Sequence, residues 1–239
     1  MPFSDVLEAS AAVQTRVHHY GEQDEQLVEV IEPAKKPKAN VVFIHGGCWL
    51  ADYGVDHSRA LLSAIAANGY RAIAPEYTRI TDGVSPWPEM QHDLQQAVRW
   101  VLNSYPEEPV WLVGHSAGGH LALLLAPDFH HEVSGVIGLA PIVDLAAYAQ
   151  VANGCAVATS SLVPVGVSSA EFYEQFSPVN REQHANTQVF RGGADVIVEQ
   201  SQASELFVTQ TVGDAGHFDF IMPNTRAFNA WVSWLEEQQ

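Results

Sequence analysis

The sequence predicts an α/β fold, an open and mostly parallel sheet with helices on both faces. Two patterns carry this. Short β-branched runs alternate with stretches of helical periodicity along nearly the whole chain, the order expected of successive βαβ units. Several runs, among them Val41-Val42-Phe43-Ile44 and Val110-Trp111-Leu112-Val113, are apolar at every position. A strand without alternation is one buried on both faces. Size is the third observation. With 239 residues, 47% hydrophobic and 16% charged, the chain can bury a real core as one domain over 1–239, and disordered or coiled-coil readings fail.

The elements follow in order. Residues 26–31 alternate and predict an early edge strand, which the turn-rich Pro33-Ala34-Lys35-Lys36-Pro37 ends. Residues 41–44 predict a central strand running into Gly46-Gly47. Asp56 is placed to cap a helix whose Leu61, Leu62, Ile65 and Ala66 share one face and which Asn68-Gly69 stops. A strand is expected at 70–74. Pro88-Glu89 then opens a helix with Leu94, Val98, Val101 and Leu102 at helical spacing. Residues 110–113 predict the third buried strand, and 117–126 a very apolar helix ended by Pro127. Strands are expected at 133–139, 188–190 and 207–212, with about two helical turns between the last two. Phe228, Trp231, Val232 and Leu235 stripe a final helix. Residues 141–183 break the rhythm with Ala/Val/Ser segments, and they predict a small helical cap insertion lying outside the sheet.

Charge and cysteine content narrow the function. The net charge is −17, from 11 Lys+Arg against 28 Asp+Glu. Such a surface repels phosphate backbones and anionic headgroups, which argues against nucleic-acid and membrane partners. Cys48 and Cys155 are too few for a disulfide framework and lie in no CxxC pair. They read as two reduced thiols, with one isolated bridge left open. The amino terminus lacks the basic start and apolar run of a signal peptide, and no stretch reaches the roughly 18 apolar residues of a membrane span. The expectation is a cytoplasmic protein. No His/Cys/Asp spacing predicts a metal site, no GxGxxG follows a strand, and no Lys/Arg cluster predicts a phosphate ligand, so no cofactor is expected.

The sharpest motif is Gly114-His115-Ser116-Ala117-Gly118-Gly119. It matches G-x-S-x-G and sits between a strand and a helix, where a tight elbow lifts the serine hydroxyl above the sheet. The alternative is an inert serine in a glycine-rich turn. A serine alcohol needs a base, and the base an orienting acid. Among the downstream histidines, His120 falls within the elbow helix, and His130, His131 and His184 in polar connections. His217 follows the last expected strand and is the best base. Asp195 follows the strand 188–190 through Arg191-Gly192-Gly193-Ala194, at the carboxyl end where sheet enzymes place their sites. Asp214 and Asp219 lie too near His217 in sequence to reach its ring easily, and Asp144 reads as a cap of the next segment. The oxyanion of a tetrahedral intermediate needs preorganised donors. The Ala117 amide supplies one, and His45-Gly46-Gly47 after the central strand another, Gly47 before Gly46.

Together, HGG at 45–47, GHSAGG at 114–119, Asp195 and His217 resemble the α/β-hydrolase superfamily over roughly residues 25–236. The chain is similar to the small esterases that include kynurenine formamidase, through His45-Gly46-Gly47-Cys48-Trp49, Glu199-Gln200-Ser201 and His217-Phe218-Asp219. The resemblance implies Ser116 as nucleophile, Asp195 as acid, His217 as base, an oxyanion hole from Gly46, Gly47 and Ala117, and His45 fixing the loop. Cys48, where an aromatic residue or Gly is common, and the short helix after Asp195 depart from that pattern. Trp49, His115 and Phe218 are candidate substrate contacts, Trp87 is placed near the pocket mouth, and the apolar residues of the insertion (Leu145, Tyr148, Val151, Leu162, Val163, Val165, Phe172, Tyr173, Phe176) are candidate walls. The expected function is a serine hydrolase cleaving small carboxylic esters or amides through an acyl-enzyme. Formamidase action on N-formylkynurenine is the alternative within the class, and a non-catalytic ligand-binding protein the alternative outside it. The sequence does not fix the oligomeric state.

Overall fold

The computed structural model describes residues 1–238. Its sheet has 8 strands in the order β1-β2-β4-β3-β5-β6-β7-β8. They are β1 (Arg16–His19), β2 (Leu27–Ile31), β3 (Asn40–Ile44), β4 (Arg71–Pro75), β5 (Val110–His115), β6 (Gly135–Leu139), β7 (Thr187–Gly192) and β8 (Val208–Val212). The β1–β2 and β2–β4 pairs are antiparallel, and every pair from β4 through β8 is parallel. The expected α/β-hydrolase sheet is therefore present.

The helices are α1 (Phe3–Ser10), α2 (Arg59–Ala67), α3 (Glu89–Ser104), α4 (Ala117–Leu125), α5 (Leu145–Tyr148), α6 (Gly154–Val157), α7 (Thr159–Leu162), α8 (Ser169–Phe176) and α9 (Arg226–Glu236). Val42, Ile44 and Leu112 join the core under α3, α4 and the insertion; Val41, Phe43, Trp111 and Val113 join the one under α1, α2 and α9. This division is why the central strands read as unbroken apolar runs, since successive side chains serve opposite faces.

Several local expectations change. Residues 55–58 form a 3-10 turn, and α2 begins at Arg59 without a side-chain cap from its flanking residue. Distant side chains meet donors of both: Glu76 Oε2 accepts from Val55 N of the turn at 2.9 Å, and Ser10 Oγ from Ala60 N of α2 at 3.2 Å. Asp56 is therefore not the cap, because tertiary partners do its work. Between β7 and β8 the only helical turn is a 3-10 one, Gln200–Gln202. α1 and the fully exposed β1 were not expected. β1 is too polar to register as a strand, and it forms by pairing with β2.

The largest correction is covalent. Cys48 and Cys155 form a disulfide across a sequence separation of 107. They are not two reduced thiols, and one ground for the cytoplasmic expectation falls with that reading, since disulfides persist mainly in oxidising compartments. Pairing over such a distance depends on where the fold puts the two Cα atoms, which no local pattern encodes. Among the described residues, no helix is long and apolar enough to cross a membrane.

Candidate active site

After β3 the chain runs through α2 to β4 on one side of the sheet. It then crosses through α3 to β5 on the other side of β3. Loops leaving two adjacent parallel strands in opposite directions open a crevice at their carboxyl ends. In the β3–β5 register Ile44 faces Gly114, so His45-Gly46-Gly47 and His115-Ser116-Ala117 emerge side by side into that crevice.

Ser116 occupies the turn between β5 and α4 with φ 56° and ψ −120°. A non-glycine residue in this region costs about 1–3 kcal/mol and persists only where its surroundings over-determine it. Here Ser116 N donates to Leu139 O at 2.9 Å, and His120 N donates to Ser116 O at 3.0 Å. At Gly118 an added Cβ would lie 2.1 Å from Ile44 O. The elbow helix thus rests directly on the end of β3, and only glycine permits it. The serine sits at the positive end of α4.

The facing loop is equally constrained. Gly47, Cys48 and Trp49 all have positive φ, at 110°, 55° and 59°. A Cβ at Gly46 would lie 3.3 Å from that of Ser116, which puts this backbone in contact with the serine. His45 anchors the loop as expected, its ring nitrogens 2.8 Å from Gly46 O and 2.9 Å from Glu76 Oε1. Glu76, just past β4, also accepts from Tyr77 N at 3.0 Å and pairs with Arg79. Burial pushes its carboxyl up, but His45 and Arg79 outweigh that and hold it well below the usual range. Sequence reasoning missed Glu76. The available signal was an acid at the carboxyl end of a strand.

Asp195 and His217 meet as expected. His217 Nδ1 lies 2.8 Å from Asp195 Oδ2, and Asp195 Oδ1 accepts from Ile197 N at 2.8 Å and Val198 N at 2.9 Å. Burial pushes the Asp195 carboxyl up, while the hydrogen bond and charge of His217 and the two amides bring it below its ordinary value. An ionised carboxylate only accepts, so Nδ1 carries a proton, and in the neutral ring the lone pair is on Nε2. His217 and Ser116 line one cavity of about 250 Å³.

Phe3, Tyr53, His57, Phe218 and Ile221 line that cavity, together with Cys48, Asn153, Cys155 and Ile197. Of the candidate contacts, Phe218 and His115 border it. His115 is buried and donates from Nε2 to the carbonyl of His217 at 2.9 Å; burial and the His217 charge hold its pKa well below the ordinary value. Trp49 does not border it. Its side chain is fully buried, edge-on to His120, because the positive-φ turn drives it inward. Trp87 packs against Phe172 and Phe176, away from the site. The insertion contributes Asn153, Gly154 and Cys155, whereas Leu145, Tyr148, Leu162 and Phe172 are core and Val165 is fully exposed. Phe3, Tyr53 and Ile221 were not foreseen, since nothing local marks them as neighbours of Ser116.

A BD-FAE family profile matches residues 28–209. The chain belongs to the BD-FAE family. It is thereby an α/β-hydrolase superfamily member, and 19% identity with esterase B from Lactobacillus rhamnosis, at TM-score 0.77 over 98% of this chain and 90% of that one, shows the shared fold. The versiconal hemiacetal acetate esterase of Aspergillus parasiticus is 32% identical over 107 residues, 42% of this chain and 33% of its own. Neutral cholesterol ester hydrolase 1 of Pongo abelii is 34% identical over 119 residues, 45% of this chain and 29% of its own. This BD-FAE family member thus spans about a third of the length of these curated relatives.

Proposed function

We propose that the protein is a serine hydrolase that cleaves small, uncharged carboxylic esters through an acyl-enzyme. The observation that carries this is that His217, hydrogen-bonded to Asp195 behind it, lines the same cavity as a serine in a strained elbow. In this reading His217 Nε2 takes the Ser116 proton as Oγ attacks the carbonyl carbon. The amides of Ala117 and Gly47, with Gly46 beside it, receive the developing oxyanion. His217 then returns the proton to the departing alcohol, and water repeats the sequence to release the acid. The partial relatives named as esterases support the same chemistry.

The cavity supports the substrate class. About 250 Å³ walled mainly by aromatic and aliphatic side chains suits a short acyl group or a single aryl ring, below the size of most drug-like ligands. The rings of Phe3, Tyr53 and Phe218 also favour a second reading, an aryl formamide such as N-formylkynurenine. A fluorophosphonate is expected to label Ser116, and Ser116→Ala to abolish labelling and lower kcat on p-nitrophenyl acetate by on the order of 10⁵-fold or more. Equal labelling of Ser116→Ala defeats the reading. Ligand binding without any ester turnover supports the non-catalytic alternative, and a higher kcat/KM on N-formylkynurenine than on p-nitrophenyl acetate selects the formamidase.

A further inference from the structure

The oxyanion loop holds three consecutive left-handed residues, two of them not glycine. Such a run persists only where other contacts impose it. Backbone bonds hold part of it: Leu50 N donates to Gly47 O at 2.9 Å and Ile80 N to Trp49 O at 2.8 Å. Cys48, next to the Gly47 amide, is held by its disulfide to Cys155.

Cys155 lies in α6, a helix of only 4 residues in the insertion. The residue before that helix, Asn153, accepts from Ala156 N through Oδ1 at 2.8 Å and donates from Nδ2 to Ile197 O at 3.0 Å. Ile197 is in turn one of the residues whose amide bonds Asp195. Residues 153–155 therefore form a strap across the cavity, covalent to the oxyanion loop at one end and hydrogen-bonded to the acid loop at the other. Both cysteines border the cavity, so a small dithiol reaches the bridge through the space that admits substrate.

We propose that the Cys48–Cys155 disulfide is a positioning element for the oxyanion hole, and that turnover is consequently set by thiol redox state. The inference rests on the reading of Ser116 as nucleophile. Reduction by a dithiol breaks the S–S bond and forms two cysteine thiols; the dithiol gives up two hydrogens and closes to its own cyclic disulfide. The freed loop then relaxes from its left-handed run, and the Gly47 amide leaves the place where the oxyanion develops. Losing a whole donor lowers kcat by about 10²–10³-fold, so a displaced one lowers it by about tenfold or more.

The test compares purified oxidised protein with the same protein after dithiothreitol, reduction being verified by a mass gain of two hydrogens. The expected result on p-nitrophenyl acetate is a kcat lower by about tenfold with KM changed by less than about threefold, unchanged far-UV circular dichroism, and recovery on reoxidation. Cys155→Ala is expected to match the reduced enzyme and to ignore the dithiol. An unchanged kcat after verified reduction overturns the proposal, as does Cys155→Ala behaving like oxidised wild type. Loss of circular dichroism on reduction overturns it too, because the bridge then holds the fold and not the loop. Failure of the nucleophile reading shows separately, as absent fluorophosphonate labelling of the oxidised protein before any reductant is added.

Discussion

Asp144 and Asp195 follow neighbouring parallel strands, β6 and β7, and each spends one carboxylate oxygen in the same local way. Oδ1 of Asp144 accepts from Ala147 N at 2.9 Å and caps α5; Oδ1 of Asp195 accepts from the amides of Ile197 and Val198. The second oxygen separates them. In Asp195 it meets the His217 imidazole at 2.8 Å, while Oδ2 of Asp144 has no hydrogen bond among the described residues. A loop cap and the proposed catalytic acid are thus one piece of local chemistry. The difference is made by a residue that arrives from the far side of β8.

The largest expected effect breaks the Asp195 side of this pair. Asp195→Asn keeps an acceptor for the Ile197 and Val198 amides, so the loop and the fold persist. Its amide N–H₂ faces His217, however, and selects the tautomer with the lone pair on Nδ1. A fall in kcat of about 10⁴-fold is expected, with little change in melting temperature. A fall below about tenfold in a folded variant would mean that the carboxylate only braces its loop.

Partners sort the histidines as well. His217 has a carboxylate, whereas His120 is buried, donates from Nε2 to Phe176 O at 2.9 Å, and leaves Nδ1 without a partner. Burial takes its pKa down to about 4, and burial with the His45 charge takes His57 to about 3. Both rings stay neutral in the native state near pH 5, but in the unfolded chain they protonate near pH 6.5. Between those values the unfolded state binds more protons, so stability falls as pH drops from 6.5. The expected loss by pH 5 is about 2 kcal/mol for each ring. Urea midpoints at pH 7 and pH 5 measure it. His120→Leu is expected to remove roughly one ring's share of the slope, and an unaltered slope would show that His120 takes up its proton in the native state.

These contrasts also explain what could be read from the chain. Gly118 and Gly46-Gly47 were legible because close backbone approach demands glycine at those positions, and Ser116 because it stands in a G-x-S-x-G motif linking a strand to a helix. His217 and Asp195 were legible from strand order alone, since their loops follow β8 and β7 at the carboxyl edge. The acceptors for the 55–58 turn and α2, the walls at Phe3 and Tyr53, and the Cys48–Cys155 bridge were not. Each is settled by a partner tens of residues away, and the sequence around either member looks ordinary. Trp49 shows the same limit in reverse. It sits in the right motif, yet three successive positive φ values turn its ring into the core.

The smallest expected effect returns to Asp144. Its side chain caps one helix, α5, and its backbone N–H and C=O are both met by the amide of Gln202, at 2.9 and 3.1 Å. Asp144→Ala removes the cap but leaves those backbone bonds in place, so the cost is that of a lost N-cap, about 1 kcal/mol. Because Asp144 has no bond to His217, kcat on p-nitrophenyl acetate is expected to stay within about twofold of wild type. Thermal melts and initial rates on the same preparation separate the two quantities. A tenfold loss of kcat with an unchanged melting temperature would show that the carboxylate after β6, and not the cap geometry it displays, takes part in the chemistry. The division of labour between the two aspartates would then have to be redrawn.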